Sequence, residues 1–119
     1  MRKSLFVLAF VVAAPASAAM TVGTFVTKAN ALRANPLTAL TSPDFSVLKG
    51  EAQAATAQLK AEREARKAAG KPPIACVPEG QSIGILEMVD GLAALPAPDQ
   101  RLPLRDGYAK VIARKYPCR

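Results

Sequence analysis

The sequence predicts a small all-α domain of four helices, and three observations support this prediction. Apolar residues recur every three or four positions in four separate segments. These segments are bounded by residues typical of helix ends, mainly Ser, Thr, Gly and Pro. The strict apolar–polar alternation that indicates a half-buried strand is absent from the sequence, and no segment of it is repeated.

Residues 1–18 have the three parts of a secretory signal peptide. Arg2 and Lys3 are positively charged, Leu5–Ala14 is an uninterrupted apolar run, and Ala16-Ser17-Ala18 offers small residues for cleavage. The run is shorter than the roughly 20 apolar residues that span a bilayer. We therefore expect export to the periplasm, cleavage of the signal, no transmembrane span in the mature protein, and a single mature domain over 19–119.

The first helix is predicted to start after Thr21, whose hydroxyl can accept a hydrogen bond from the first turn. It should end at Asn35-Pro36, because the residue before a proline disfavours helix. Residues 36–42 then form a connector with room for one helical turn. The side chains expected to face inward are Val22, Phe25, Val26, Ala29 and Leu32.

Ser42-Pro43-Asp44 predicts the start of the second helix, with a capping serine, a proline in the first helical position and an acid near the positive end of the helix dipole. Residues 60–73 are expected to be a solvated helix end and linker. Gly70 can close the helix in a left-handed conformation before Pro72-Pro73. The apolar stripe is narrow and rich in alanine: Phe45, Leu48, Ala52, Ala55 and Leu59.

The last third of the chain predicts a helical hairpin. The third helix is expected to be capped by Ser82 and to end before Pro96 and Pro98. The fourth helix is expected to begin at Leu102-Pro103. The inward faces are expected to consist of Ile85, Leu86, Val89 and Leu92 in the third helix, and of Leu104, Tyr108, Val111 and Ile112 in the fourth.

The two cysteines, Cys76 and Cys118, flank this hairpin. In an antiparallel pair the start of one helix lies beside the end of the other, so the two sulfurs should meet. An even number of cysteines in an exported chain also indicates a disulfide. A bridge between positions 42 apart should stabilise the fold by about 4 kcal/mol in the chain-entropy treatment.

Composition excludes several functions. The chain has no histidine, so Ser–His and Cys–His catalytic pairs and histidine-bearing zinc sites are ruled out. Its net charge is +7, and loss of Arg2 and Lys3 with the signal lowers this by two, to +5. That excess can attract an anionic partner, but solubility and solvated helix faces are the favoured explanation. The lack of aromatics interleaved with Lys and Arg argues against nucleic acid. We expect a non-enzyme without metal or cofactor.

A few residues remain as candidates for chemistry or recognition. Glu87 and Asp90 lie three apart on one helical face and could in principle form a carboxylate pair, but they are expected to be exposed. Pro78, Glu79 and Gly80 form a constrained turn whose acid could cap, form a salt bridge or project into a partner. Tyr108 and Tyr116, eight apart, are interpreted as aromatics at the core edge.

The C-terminal part of the chain resembles the Rap/Tai family of type VI secretion immunity proteins. The resemblance lies in Cys76-Val77-Pro78-Glu79-Gly80, a helix beginning near Ser82, Leu102-Pro103, and the exit Tyr116-Pro117-Cys118, and it covers residues 76–118. The N-terminal half differs from the family, because it has neither tryptophan nor a further cysteine. The resemblance implies a periplasmic helical protein that inhibits a secreted peptidoglycan-cleaving amidase by blocking its active-site groove.

Two functional hypotheses follow. In the first, the chain inhibits a wall-degrading amidase toxin, with Pro78, Glu79 and Gly80 entering the enzyme. In the second, it is a non-catalytic envelope-associated protein without toxin binding, and its long charged helix contacts another subunit, anionic lipid or the wall. A small carboxylate hydrolase using Glu79 or Glu87 is a third, weaker hypothesis. A homodimer is also plausible, because the narrow alanine stripe leaves apolar surface to be covered.

Overall fold

The computed structural model describes residues 19–119, and the predicted signal peptide, residues 1–18, lies outside the described residues. The described part of the chain is helical and contains no strand, as the sequence predicted. The helices are α1 (Val22–Ala34), α2 (Pro36–Ala39), α3 (Pro43–Ala68), α4 (Ile85–Ala93) and α5 (Leu104–Lys115), with a 3₁₀ helix at Ala97–Arg101 between the last two. The short α2 is the single turn expected within the connector.

The N-terminal ends of α1 and α3 are capped as the sequence predicted. The Thr21 hydroxyl accepts a hydrogen bond from the Thr24 N–H at 3.3 Å, and the Ser42 hydroxyl accepts one from the Asp44 N–H at the same distance. At the other end of α3, Gly70 has a φ of +69°, and the Lys71 N–H donates to the Arg66 carbonyl at 2.8 Å. These hydrogen bonds satisfy backbone groups that the helix ends leave unpaired.

The predictions for α4 were wrong in two respects. The helix begins after Gly84 rather than after Ser82. Ile85 and Leu86 are 57% and 60% exposed, whereas Met88 is buried beside Val89 and Leu92. The first turn of α4 lies at the edge of the core, where its contacts are polar. There Arg33 of α1 reaches both the Leu86 carbonyl and Asp90.

The 3₁₀ helix, where the sequence indicated only a proline-rich link, closes the end of α4. Gln100 donates its side-chain N–H to the carbonyls of Leu92 and Leu95, at 2.9 and 3.0 Å. The Leu92 carbonyl lies in the last turn of α4, where it also accepts from the Leu95 N–H at 3.2 Å, and the Leu95 carbonyl follows the helix end. The link therefore acts as the C-terminal cap of α4 and fixes the path from α4 to α5.

The core lies where α1, α3, α4 and α5 meet. Phe25, Leu92, Leu104 and Val22 are its fully buried large side chains, and no polar or charged residue is buried in the part of the chain that the structure describes. The Phe25 and Tyr108 rings meet edge to face, with centroids 6.2 Å apart. Only Leu48 and Ala55 of α3 are buried, which confirms the narrow stripe. The remaining buried members are Met88, Val89, Leu95 and Val111.

Glycine allows α5 to approach α1 and α4 closely. A Cβ on Gly107 would overlap the Val22 side chain and come within 2.9 Å of a Leu92 methyl. A Cβ on Gly91 would come within 2.7 Å of a Val111 methyl. The two glycines are therefore packing positions, since a methyl group at either would push the helices apart.

α5 packs against α3 as well as α4. Arg105 of α5 forms an ion pair with Glu62 of α3, and Glu62 also accepts from Arg66 one turn later at 3.3 Å. Most residues in the C-terminal part of α3 are exposed, and the ion pair at Glu62 joins this part of the helix to α5.

Among residues 19–119, no helix combines the length and the apolar character needed to span a bilayer.

Candidate functional site

Cys76 and Cys118 form a disulfide, which confirms the predicted pairing. Their Cα atoms are 4.9 Å apart, within the usual range for bridged cysteines. The Cys76 N–H also donates to the Tyr116 carbonyl at 2.9 Å. The end of α5 is therefore fastened, covalently and by a hydrogen bond, to the segment that precedes α4.

The turn formed by Pro78, Glu79 and Gly80 follows directly after this bridge. The Gln81 N–H donates to the Pro78 carbonyl at 3.1 Å, and Gly80 has a φ of +77°, a backbone conformation that favours glycine. All three residues are exposed. The Tyr116 hydroxyl donates to the Gln81 side-chain oxygen at 3.2 Å. The turn is thus held at both ends while its tip, Glu79, faces solvent.

A groove beside the disulfide was not predicted from the sequence. It has a volume of about 270 Å³ and is bordered by α3, α5 and residues 73–77. Ile74 and Val77, each more than a third exposed, form one wall. Its main apolar lining residues are Leu59, Ile74, Val77, Tyr108, Ala109 and Ile112. The sequence signal for it was faint: two large apolar residues within a proline-rich linker that has no helix of its own.

Cations border this groove. Lys60 and Arg63 belong to its lining, and Arg63 also lines a neighbouring hollow of about 330 Å³ together with Lys67 and Lys71. No acidic residue lines either cavity. The apolar surface therefore continues into a positively charged one at Arg63, which favours anionic ligands at that point.

The structure does not bring the candidate carboxylates Glu87 and Asp90 into a catalytic pair. Each is bonded to a different cation: Glu87 to Lys115 at 2.6 Å, and Asp90 to Arg33 at 2.9 Å. Both are largely exposed, and ion pairs of this kind contribute little stability. The hydrogen bond that Lys115 donates to the Glu87 carboxylate raises the pKa of Lys115. Within residues 19–119, no group of three or more acidic, cysteine or histidine side chains is placed to hold a metal ion.

Tyr108 is buried in the core, whereas Tyr116 is half-buried and does not belong to the side chains that pack against the core. Burial raises the pKa of the Tyr108 phenol above the ordinary value of a tyrosine, which is about 10. At neutral pH its hydroxyl is therefore neutral and can donate a hydrogen bond at the groove.

Stability should fall at alkaline pH because of this shift. The unfolded chain loses the Tyr108 proton before the folded chain does, so the stabilisation present below about pH 10 is lost as the pH rises further. The raised pKa of Lys115 likewise lowers the free energy of unfolding as the pH rises. Denaturant unfolding measured from about pH 8 to pH 11 should show this decline, and Tyr108→Phe should make it shallower. An equal decline in the variant would contradict the assignment to Tyr108.

No protein-family model matches this chain, and comparison with curated proteins and with solved structures finds no match. The resemblance to the Rap/Tai immunity proteins therefore stays a prediction from residues 76–118.

Proposed function

We propose that the mature chain is a periplasmic, non-catalytic binding protein that inhibits a secreted peptidoglycan-cleaving amidase. In this proposal the Pro78–Gly80 turn enters the active-site groove of the enzyme, and the helical core holds the turn in position. The observation that carries the proposal is an exposed turn that follows a disulfide and precedes Gln81, whose side-chain oxygen accepts a hydrogen bond from the Tyr116 hydroxyl.

Preorganisation is the physical reason that such a turn suits an inhibitor. A loop that is already fixed loses little conformational freedom when it binds, so more of its contact energy appears as affinity. Gly80 and the Pro78 carbonyl set the turn locally, and the bridge at Cys76 anchors it to α5. Disulfides are also typical of proteins in oxidising compartments, which supports a periplasmic location.

Glu79 is the residue proposed to contact the enzyme. It is exposed, and among the described residues its carboxylate makes neither a hydrogen bond nor an ion pair with a side chain. A carboxylate that the fold leaves free can accept hydrogen bonds from the partner without breaking bonds within its own chain. The likeness of the 76–118 segment to the Rap/Tai immunity proteins supports an amidase as that partner.

Substitution of the turn should abolish inhibition while leaving the fold intact. Glu79→Ala removes the free carboxylate, and Gly80→Val disfavours the positive φ. Each should weaken inhibition by about thirtyfold or more, the loss expected at a central interface residue. The assay measures peptidoglycan cleavage by amidase effectors, beginning with any encoded next to this gene, in the presence of purified mature protein.

Glu64→Ala is the matched control, since Glu64 is an exposed acid that belongs to α3 and not to the turn. It should inhibit as well as the unsubstituted protein, and circular dichroism should show the same helical content in all variants. The proposal fails if no amidase is slowed, or if both turn variants inhibit as strongly as the control.

A further inference from the structure

The groove between α3, α5 and residues 73–77 has a lining that the proposed inhibitory turn does not use. Leu59, Ala109 and Ile112 contribute apolar surface from the two helices, and Ile74 and Val77 close the opposite side. Its volume of about 270 Å³ is close to the lower end of small-molecule pockets, at about 300 Å³. The groove is therefore large enough for a slender apolar chain but small for a folded protein segment.

The charges beside the groove determine what kind of apolar molecule fits. Lys60, Lys67 and Lys71 make no ion pair with any described residue. Arg63 has one long contact, 3.9 Å to Glu64, in which both side chains are at least 60% exposed. The nearby Glu62 is already engaged by Arg66 and Arg105. An anionic group at Arg63 would thus meet three lysines that form no ion pair with a described residue, and an arginine whose one ion pair is long and exposed.

We propose that this groove binds a single-chain fatty acid, with the acyl chain between α3 and residues 73–77 and the carboxylate at Arg63 and Lys60. The planar guanidinium of Arg63 can hold both carboxylate oxygens at once. The acyl chain would cover apolar surface of Ile74, Val77 and Ile112 that water otherwise contacts. This ligand site is independent of amidase inhibition, because Glu79 and Gly80 do not line the groove.

The disulfide gives the site its second wall. Residues 73–77 contain no helix, and Cys76 joins them to the end of α5. The Cys76 N–H and the Tyr116 carbonyl add a backbone hydrogen bond at the same place. Ile74 and Val77 are therefore kept opposite α3 before any ligand arrives, and binding does not have to order this segment.

Calorimetric titration of the oxidised mature protein with monomeric dodecanoate tests the proposal. We expect saturable binding of one molecule per chain. Dodecanol, which has the same chain without the charge, should bind about tenfold more weakly or worse. Ala109→Phe should fill the groove and abolish binding, and the double variant Lys60→Gln with Arg63→Gln should weaken dodecanoate binding to the level of dodecanol.

Lys49→Gln is the control, because Lys49 is exposed on the same helix and does not line the groove. It should bind dodecanoate like the unsubstituted protein. The double variant Lys60→Gln with Arg63→Gln alters only exposed side chains and should fold normally. It therefore tests the proposal even if Ala109→Phe fails to fold. Equal affinity for dodecanol and dodecanoate would overturn the proposal. So would association with anionic phospholipid vesicles in the absence of any binding to monomeric dodecanoate.

Discussion

Replacing both cysteines, by Cys76→Ser together with Cys118→Ser, should lower the free energy of unfolding by about 4 kcal/mol. The bridge closes a loop between residues 42 apart, so its loss gives the unfolded chain much more freedom. A domain of this size has a stability of only about 5–15 kcal/mol, which makes the bridge a large share of the total. The measurement is denaturant unfolding of the variant and of the oxidised protein.

The bridge fastens the residues that follow α5 to the segment that precedes α4. Without it, this attachment depends on the hydrogen bond between the Cys76 N–H and the Tyr116 carbonyl. The double variant should therefore also lose part of its inhibitory activity, since the turn would be held by hydrogen bonds alone. Reduction of the unsubstituted protein is the matched control and should reproduce the variant. Equal stability of the oxidised and double-variant proteins would contradict this account.

Much of the helical structure could be predicted because it depends on neighbouring residues. Thr21 and Ser42 cap helices through hydrogen bonds to backbone groups two or three residues ahead. Gly70 ends α3 through its own backbone conformation. Helix caps of this kind involve only a few consecutive residues, so they can be recognised from the sequence alone.

The errors in α4 have a different origin. Whether Ile85 or Met88 faces the core depends on how α4 is rotated against α1 and α5, and both choices fit a helical repeat. The rotation follows from Gly91 and Gly107, whose missing side chains admit Val111, Val22 and Leu92. Such close approaches join residues far apart in sequence, and a single sequence gives no sign of them.

The same distinction applies to the candidate sites. The turn at Pro78, Glu79 and Gly80 is contiguous, so its residues could be named before the structure was known. The groove is assembled from α3, α5 and the linker between α3 and α4, and none of these segments indicates a cavity on its own. Both sites depend on the disulfide, because the bridge at Cys76 holds the turn and one wall of the groove in place.

Phe25→Ala should lower the free energy of unfolding by about 3–5 kcal/mol, the usual cost of removing a buried aromatic ring. Phe25 is only 2% exposed, and its ring meets the Tyr108 ring edge to face. The substitution therefore leaves a cavity between α1 and α5 and removes an aromatic contact. Denaturant unfolding at neutral pH is the measurement, with the disulfide intact so that the two effects remain separate.

Leu37→Ala is the control for this prediction, since Leu37 is a large apolar residue that is 96% exposed. It should change stability by no more than about 0.5 kcal/mol. Because Phe25 supports Tyr108, which also lines the groove, Phe25→Ala should weaken dodecanoate binding as well, whereas Leu37→Ala should not. A loss of stability below about 1 kcal/mol for Phe25→Ala would contradict this prediction, because it would mean that the surrounding side chains collapse into the space of the missing ring.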